Sequence, residues 1–218
     1  MLGIVARQFG HPRGVLGRLV GRGMARSNAD FSRWTVGQVR HHVTEVPARI
    51  VELGPGPGVG LEELLRAFPE AKVWGVDLSR EMLAQSRRRN AALADDGRLS
   101  LLEGNAAVLG DLAPIDIVAA NHVLYFWREP EVELSLIGRS LRPGGLLALG
   151  YQLRSNMPAM AQKQFPRQGF QLYDSDEEVH ALLRSAGFIG VGQRVKGSPE
   201  RFEGRLALAT IPSKPAAG

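Results

Sequence analysis

The 218-residue sequence contains no cysteine. Disulfides, thiolate metal sites and a cysteine nucleophile are therefore excluded, although the compartment is left open. No apolar run approaches the roughly 20 residues needed to cross a bilayer, so no membrane span is expected and a cytoplasmic location is the working expectation. The five histidines, His11, His41, His42, His122 and His180, fall at no metal-ligand spacing, and adjacent His41 and His42 would leave a helix on different sides. No metal site is expected. Acids are also missing before Asp30: residues 1–49 hold eight arginines against Asp30 and Glu45, a net charge of +6, while the remaining 169 residues come to −1.

With 44% hydrophobic residues and a length suited to one domain, the chain can bury a substantial core. Its organising stretch is Ile50–Gly60, IVELGPGPGVG. Arg49–Leu53 has the apolar, β-branched character of a strand covered on both faces, and Val59, Leu61, Leu64, Leu65 and Phe68 then recur at helical spacing. The intervening glycines lie in a strand-to-helix turn, where a ligand can approach bare backbone. Pro55 and Pro57 stiffen that turn. A nucleotide-type ligand suits such a loop, and the details choose among nucleotides. The dinucleotide fingerprint G-x-G-x-x-G fails, because its last position falls on Val59 or Leu61, and a P-loop fails for want of Gly-Lys-Ser/Thr.

Upstream, Leu16, Leu19, Val20 and Met24 share one face of an expected helix, with Arg18, Arg22 and Arg26 opposite. A second helix is expected from about Asp30 to His42, with Phe31, Trp34, Val39 and Val43 on its apolar side. The basic segment reads as a transit peptide, a nucleic-acid patch or a cap over the site. Cleavage as a presequence would discard Phe31 and Trp34, good lining for a pocket, so residues 1–46 are read as a helical cap. The arginine stripe is either a solvated face or a docking surface.

Downstream, Ala71–Val76 is a second strand ending at Asp77, 25 residues beyond Glu52. An acid there binds ribose hydroxyls in doubly wound folds; it also serves as a cap for the helix beginning near Ser79. Arg98–Glu103 is a third strand leading to Gly104-Asn105-Ala106, and Ile115–Ala120 a fourth leading into Asn121–Trp127. A helix ends at Leu141, Arg142–Gly145 turns, and Leu146–Tyr151 is the fifth strand. Gln152–Tyr173 is a candidate substrate lid, Ser175–Glu178 a capping box, and Phe188–Val195 with Arg201–Ile211 a closing antiparallel pair. Residues 212–218 read as a disordered tail. The domain proper spans 47–211.

The acid-x-Gly-x-Gly-x-Gly run from Glu52 to Gly58, the acid at Asp77, the segment Asp116–Trp127 and the phrase LRPGGLLALG at 141–150 together resemble class I S-adenosylmethionine (SAM)-dependent methyltransferases, of the small bacterial type with an N-terminal helical cap. The resemblance runs from Ile50 to about Leu208. It implies an α/β, Rossmann-like, doubly wound seven-stranded sheet, mostly parallel with an antiparallel last strand. It further implies that Glu52, Gly54, Gly56 and Gly58 form the SAM loop, that Asp77 takes the ribose, and that Leu78 and Met82 flank adenine. Asn105 and Ala106 would hold the adenine edge, and Asn121 would lie beside the methionine end. Members of the family usually have Gly-Asp-Ala where this chain has Gly104-Asn105-Ala106, the aspartate accepting from the adenine amine.

Methyl transfer from a sulfonium is an in-line displacement, so the protein must hold the acceptor about 3 Å from the methyl carbon and exclude water. A hydroxyl acceptor needs a base, and His122 is the candidate; it reads equally as a pocket liner or a capping imidazole. Tyr125 and Tyr151 are candidates to orient the acceptor or face the sulfonium. The expected function is methylation of a small-molecule acceptor on oxygen, nitrogen or carbon. Methylation of RNA or protein through the basic face, and a non-catalytic SAM-binding subunit, are the alternatives, with monomer and homodimer both open. An NAD-linked oxidoreductase is disfavoured by the glycine spacing.

Overall fold

The computed structural model describes residues 29–94, 97–197 and 203–213. Its strands are β1 (Arg49–Leu53), β2 (Lys72–Asp77), β3 (Leu99–Glu103), β4 (Ile115–Asn121), β5 (Leu141–Tyr151), β6 (Ile189–Gly197) and β7 (Glu203–Thr210). Its helices are α1 (29–42), α2 (Val59–Ala67), α3 (Arg80–Ala94), α4 (Pro130–Ser140), α5 (Ala159–Arg167) and α6 (Asp176–Ser185). Three short 3-10 turns, the first at Ala106–Leu112, complete the described elements. The expected helix upstream of residue 29 with its arginine stripe, and residues 214–218 of the expected tail, lie outside the described residues.

The seven strands form one sheet in the order β3-β2-β1-β4-β5-β7-β6. Strands β3 to β5 are mutually parallel, and β7 runs antiparallel to both β5 and β6. Strand order reverses between β1 and β4, so the connections leaving their carboxyl ends depart over opposite faces. That divergence opens a crevice at the top of the sheet.

Alternation along the strands sorts the core into two layers. Ile50, Ile117 and Ala119 pack on one side with Val36 and Val39 of α1 and Leu61, Leu64 and Leu65 of α2. Val51, Val118 and Ala120 pack on the other with Leu134 and Ile137 of α4 and Val179 and Leu183 of α6. Each fully buried aliphatic side chain of this kind is worth about 1.5–3 kcal/mol of transfer free energy. Helix α1 is thus part of the sandwich itself, tied to β6 by an Asp30–Lys196 ion pair of 2.9 Å.

Two expectations are revised. Strand β5 begins at Leu141 rather than Leu146: Leu141 pairs with Ile115, and the register then shifts before Leu146 meets Ile117. Gly144, at φ +74°, takes up the extra residues, and its amide bonds Ile211 O at 3.0 Å. The 152–173 segment is not a loose flap. Leu153, Met157, Phe165, Leu172 and Tyr173 are buried in the main core, and the rings of Phe165 and Phe170 meet that of Phe126 at centroid distances of 5.4 and 5.1 Å, the first tilted and the second edge-on. That segment supports, from behind, the turn that follows β4.

Candidate active site

Above the carboxyl ends of β1, β2 and β4 lies a cavity of about 410 Å³, within the range of small-molecule sites. Its floor is the turn from β1 into α2. Gly58 lies at φ +83° as the residue before α2, and its carbonyl accepts from Asn90 Nδ2 at 3.0 Å. Asn90 and Ser86, both inaccessible on α3, stand where a Gly58 side chain would go. Gly58 therefore shapes the turn without itself lining the cavity. Gly60 serves a different need, because a Cβ there would overlap the Glu52 carboxylate.

Glu52 sits at the end of β1, 3% exposed. Oε2 has no hydrogen-bond partner among the described residues, yet the side chain lines the cavity. Burial, and then the nearby Asp77 carboxylate, push its carboxyl up to about 8, against a bond from the Leu61 amide that favours the ionised form. Asp77 accepts from the Gly56 amide through Oδ2 at 3.1 Å and from the Ser79 amide through Oδ1 at 2.8 Å. Its two sequence readings meet here: it borders the cavity and braces the start of α3, while Ser79 Oγ accepts from the Met82 amide at 3.3 Å.

Leu78, Met82, Asn105, Ala106 and Asn121 line the same cavity, as do Gly54 and Gly56. The carboxamide of Asn105 is already engaged at both ends. Oδ1 accepts from the Ala107 amide at 3.2 Å, capping the 3-10 turn, and Nδ2 donates to Glu133 Oε1 at 3.2 Å.

His122 follows β4 at φ +56°, a conformation costing about 1–3 kcal/mol for a non-glycine residue. Its amide donates to Gly150 O at 2.8 Å, its ring lies 4.7 Å from that of Phe31 in α1, and burial lowers its pKa to about 4. The imidazole is therefore neutral at ordinary pH. Thr35 Oγ1 donates to Asn121 Oδ1 at 3.3 Å, which joins α1 to the end of β4.

Tyr125 and Tyr151 are not brought to the cavity. Tyr125 accepts the Gln152 amide and packs against Phe126 and Phe165. Tyr151 is wholly inaccessible, and its hydroxyl donates to Asp176 Oδ1 at 2.7 Å and lies 3.1 Å from Gln193 Oε1. Strand alternation explains this: Tyr151 ends β5 on the face covered by α6. Tyr151→Phe is expected to lower unfolding free energy by about 1.5–3 kcal/mol, the worth of a hydrogen bond to a charged group, while leaving ligand affinity at the cavity unchanged. Urea unfolding and calorimetric titration check the two halves.

Sequence reading missed the far wall. Glu129, Val132, Glu133 and Leu136 all line the cavity, and their spacing along the start of α4 is the i, i+3, i+4, i+7 of one helical face. Val132 is 51% exposed and Leu78 opposite is 55% exposed. Both add apolar surface to the lining of the cavity. The lining carboxylates are Glu52, Asp77, Glu129 and Glu133, and among the described lining residues the only arginine or lysine is Arg128.

A family profile described as a methyltransferase domain matches residues 50–145. The trans-aconitate 2-methyltransferase of Methylobacterium nodulans is 34% identical over 163 residues, 75% of this chain and 49% of that protein. That of an Azoarcus species is 35% identical over 137 residues, 63% of this chain and 44% of its own length. The chain thus spans about half the length of the curated relatives it matches. Among solved structures, an O-methyltransferase family protein from Burkholderia thailandensis superposes with a TM-score of 0.70 at 20% identity, covering 90% of this chain and 59% of that one. The magnesium protoporphyrin IX methyltransferase of Synechocystis, with bound S-adenosylhomocysteine (SAH), gives 0.66 at 17% identity over 86% of each chain.

Proposed function

We propose, from the match of residues 50–145 to a methyltransferase-domain family profile, that the protein is a class I SAM-dependent methyltransferase that transfers a methyl group to a carboxylate oxygen of a small organic acid. The cofactor is SAM, and Glu52 is the observation that carries it. A buried carboxylate oxygen without a hydrogen-bond partner among the described residues belongs to a side chain that lines the cavity, and the cavity's second acid, Asp77, already raises its pKa. A cationic ligand relieves that arrangement, whereas the pyrophosphate of a dinucleotide would meet four carboxylates. SAM has an ammonium and a sulfonium for the acids near the glycine turn, ribose hydroxyls for Asp77, and a purine for the slot between Leu78 and α4. When bound, it supplies a methyl group activated on a cationic sulfur.

The acceptor reading rests on the relatives named for trans-aconitate and on two features of this chain. Arg128 stands exposed at the lip of the cavity, with no ion pair among the described residues, placed to draw in an anion. A carboxylic acid, ionising near pH ~4 in water, also arrives without a proton to remove. The protein then has only to orient the acceptor and exclude water. Neutral His122, walled by Phe31, suits that orienting task and is not required as a base.

Calorimetric titration tests the cofactor. SAM and SAH are expected to bind with micromolar Kd and NADH to give no heat. Asp77→Ala is expected to weaken both sulfur ligands at least tenfold, about 1.4 kcal/mol. Mass spectrometry tests the acceptor: trans-aconitate should yield a methyl ester, with Arg128→Ala raising KM about tenfold and sparing kcat. Methylation of a phenol or amine with no ester from any di- or tricarboxylate would overturn the acceptor reading.

A further inference from the structure

We infer that Glu133 of α4 is the residue that recognises the adenine amino group, in place of the acid absent at position 105. The inference rests on the SAM reading above. At the carboxyl end of β3 this chain carries Asn105, and both ends of that carboxamide are directed into the protein, the oxygen onto the Ala107 amide and the nitrogen onto Glu133. Position 105 therefore presents no spare carboxylate to a ligand. The carboxylate that does stand there comes from another element.

Glu133 Oε1 receives Asn105 Nδ2, and Oε2 receives the Ala106 amide, each at 3.2 Å. These two donors, from the loop after β3, fix a half-buried side chain that would otherwise have free rotamers. Each carboxylate oxygen has two lone pairs, so one acceptor direction on each remains for a ligand. Glu133 lines the cavity beside Val132 and Leu136 and across from Leu78 and Met82. Apolar walls for a flat ring and a carboxylate at its edge make a receptor for an aromatic amine. A 6-aminopurine donates from its exocyclic amine to the free acceptor direction of the carboxylate; a 6-oxopurine has no N–H at that position and sets a carbonyl oxygen against the carboxylate, an asymmetry that discriminates strongly in buried sites.

The test compares SAH with S-inosylhomocysteine, its 6-oxo analogue, by calorimetry on the full chain and on Glu133→Gln and Glu133→Ala. The wild-type protein is expected to favour SAH at least 30-fold. Glu133→Gln should lose tenfold or more of SAH affinity while holding or gaining affinity for the 6-oxo ligand, since a carboxamide has an N–H to give. Retained 6-oxo binding is also the control that the variant is folded. An equal loss for both ligands in Glu133→Gln would overturn the assignment. So would tighter SAH binding by Glu133→Ala, because Glu133 would then be a competitor for the Ala106 amide. A wild-type protein that binds neither ligand would overturn the SAM reading itself, an outcome distinct from any pattern in the variants.

Discussion

Gly58→Ala is expected to reduce SAH affinity at least 100-fold and to lower thermal stability as well, although Gly58 does not touch the cavity. Two costs add at this position. A residue with a Cβ at φ +83° is strained by about 1–3 kcal/mol. The Cβ would also lie against Ser86 Oγ, 2.7 Å from Asn90 Nδ2 and 2.9 Å from the Ser86 Cα. Backbone cannot rotate away, so the turn must move. With it would go the Asn90 bond to the Gly58 carbonyl and the Gly58 amide bond to Pro55 O, 2.9 Å long, which together set the course of Pro55–Pro57 along the cavity. Gly97→Ala separates the two costs: it lies at φ +75° with open space around it and should lose stability by strain alone while binding SAH as the wild-type protein does. Calorimetric titration and thermal unfolding of both variants check the contrast; equal affinities would show that the loop tolerates displacement.

Glu52→Gln is expected to have opposite effects on stability and binding, each with its own pH dependence. In the native protein the Glu52 carboxyl is pushed up to about 8, chiefly by burial, from an ordinary 4.5. Between those values the native state holds a proton that the unfolded chain has released, so stability falls as pH rises. The contribution is fully present below pH ~4.5, declines by about 1.4 kcal/mol per pH unit, and is gone above pH ~8. Glutamine keeps the acceptor for the Leu61 amide and removes the titration, so the variant should match the wild-type protein near pH 4.5 and exceed it at pH 8 in urea unfolding. Binding runs the other way. The ammonium that SAM and SAH share, placed beside Glu52, favours the ionised form, so wild-type affinity for SAH should rise with pH and level off above pH ~8, with a proton released on binding below that. In Glu52→Gln the slope should vanish and affinity at pH 8 should fall about 100-fold, near 2.7 kcal/mol, the order expected when one partner of a buried charge pair is removed. Titrations in buffers of different ionisation enthalpy count the proton directly.

The elements that carry these predictions were legible to different degrees. The apolar run at β1 and the helical spacing from Val59 to Phe68 can only be satisfied by a strand and a helix covered on both sides, so the turn between them follows from the sequence. The acid spacing from Glu52 to Asp77 likewise follows from one βαβ unit, because the intervening helix and loops have nearly fixed lengths. Tyr151 departs from its sequence expectation for a related reason. Its position at the end of a central strand is legible, but a one-residue difference in register decides which face of the sheet it joins, and α6 takes it into the core.

Sequence alone thus determined the strand and helix segments, the glycine turn and the spacing of Glu52 and Asp77, since each depends on local periodicity or on fixed spacing along the chain; the doubly wound order of the sheet and the places of Leu78 and Met82 were legible only through the family resemblance. Tertiary structure alone decided three further matters. It set α1 into the sandwich, with Phe31 against His122. It folded residues 152–173 behind Phe126 instead of across the cavity. It brought Glu133 to Asn105 and Ala106 across 28 and 27 residues. Each of these is a contact between elements far apart in sequence, fixed by how helices pack on the sheet, and no periodicity within either partner encodes which residue it will meet.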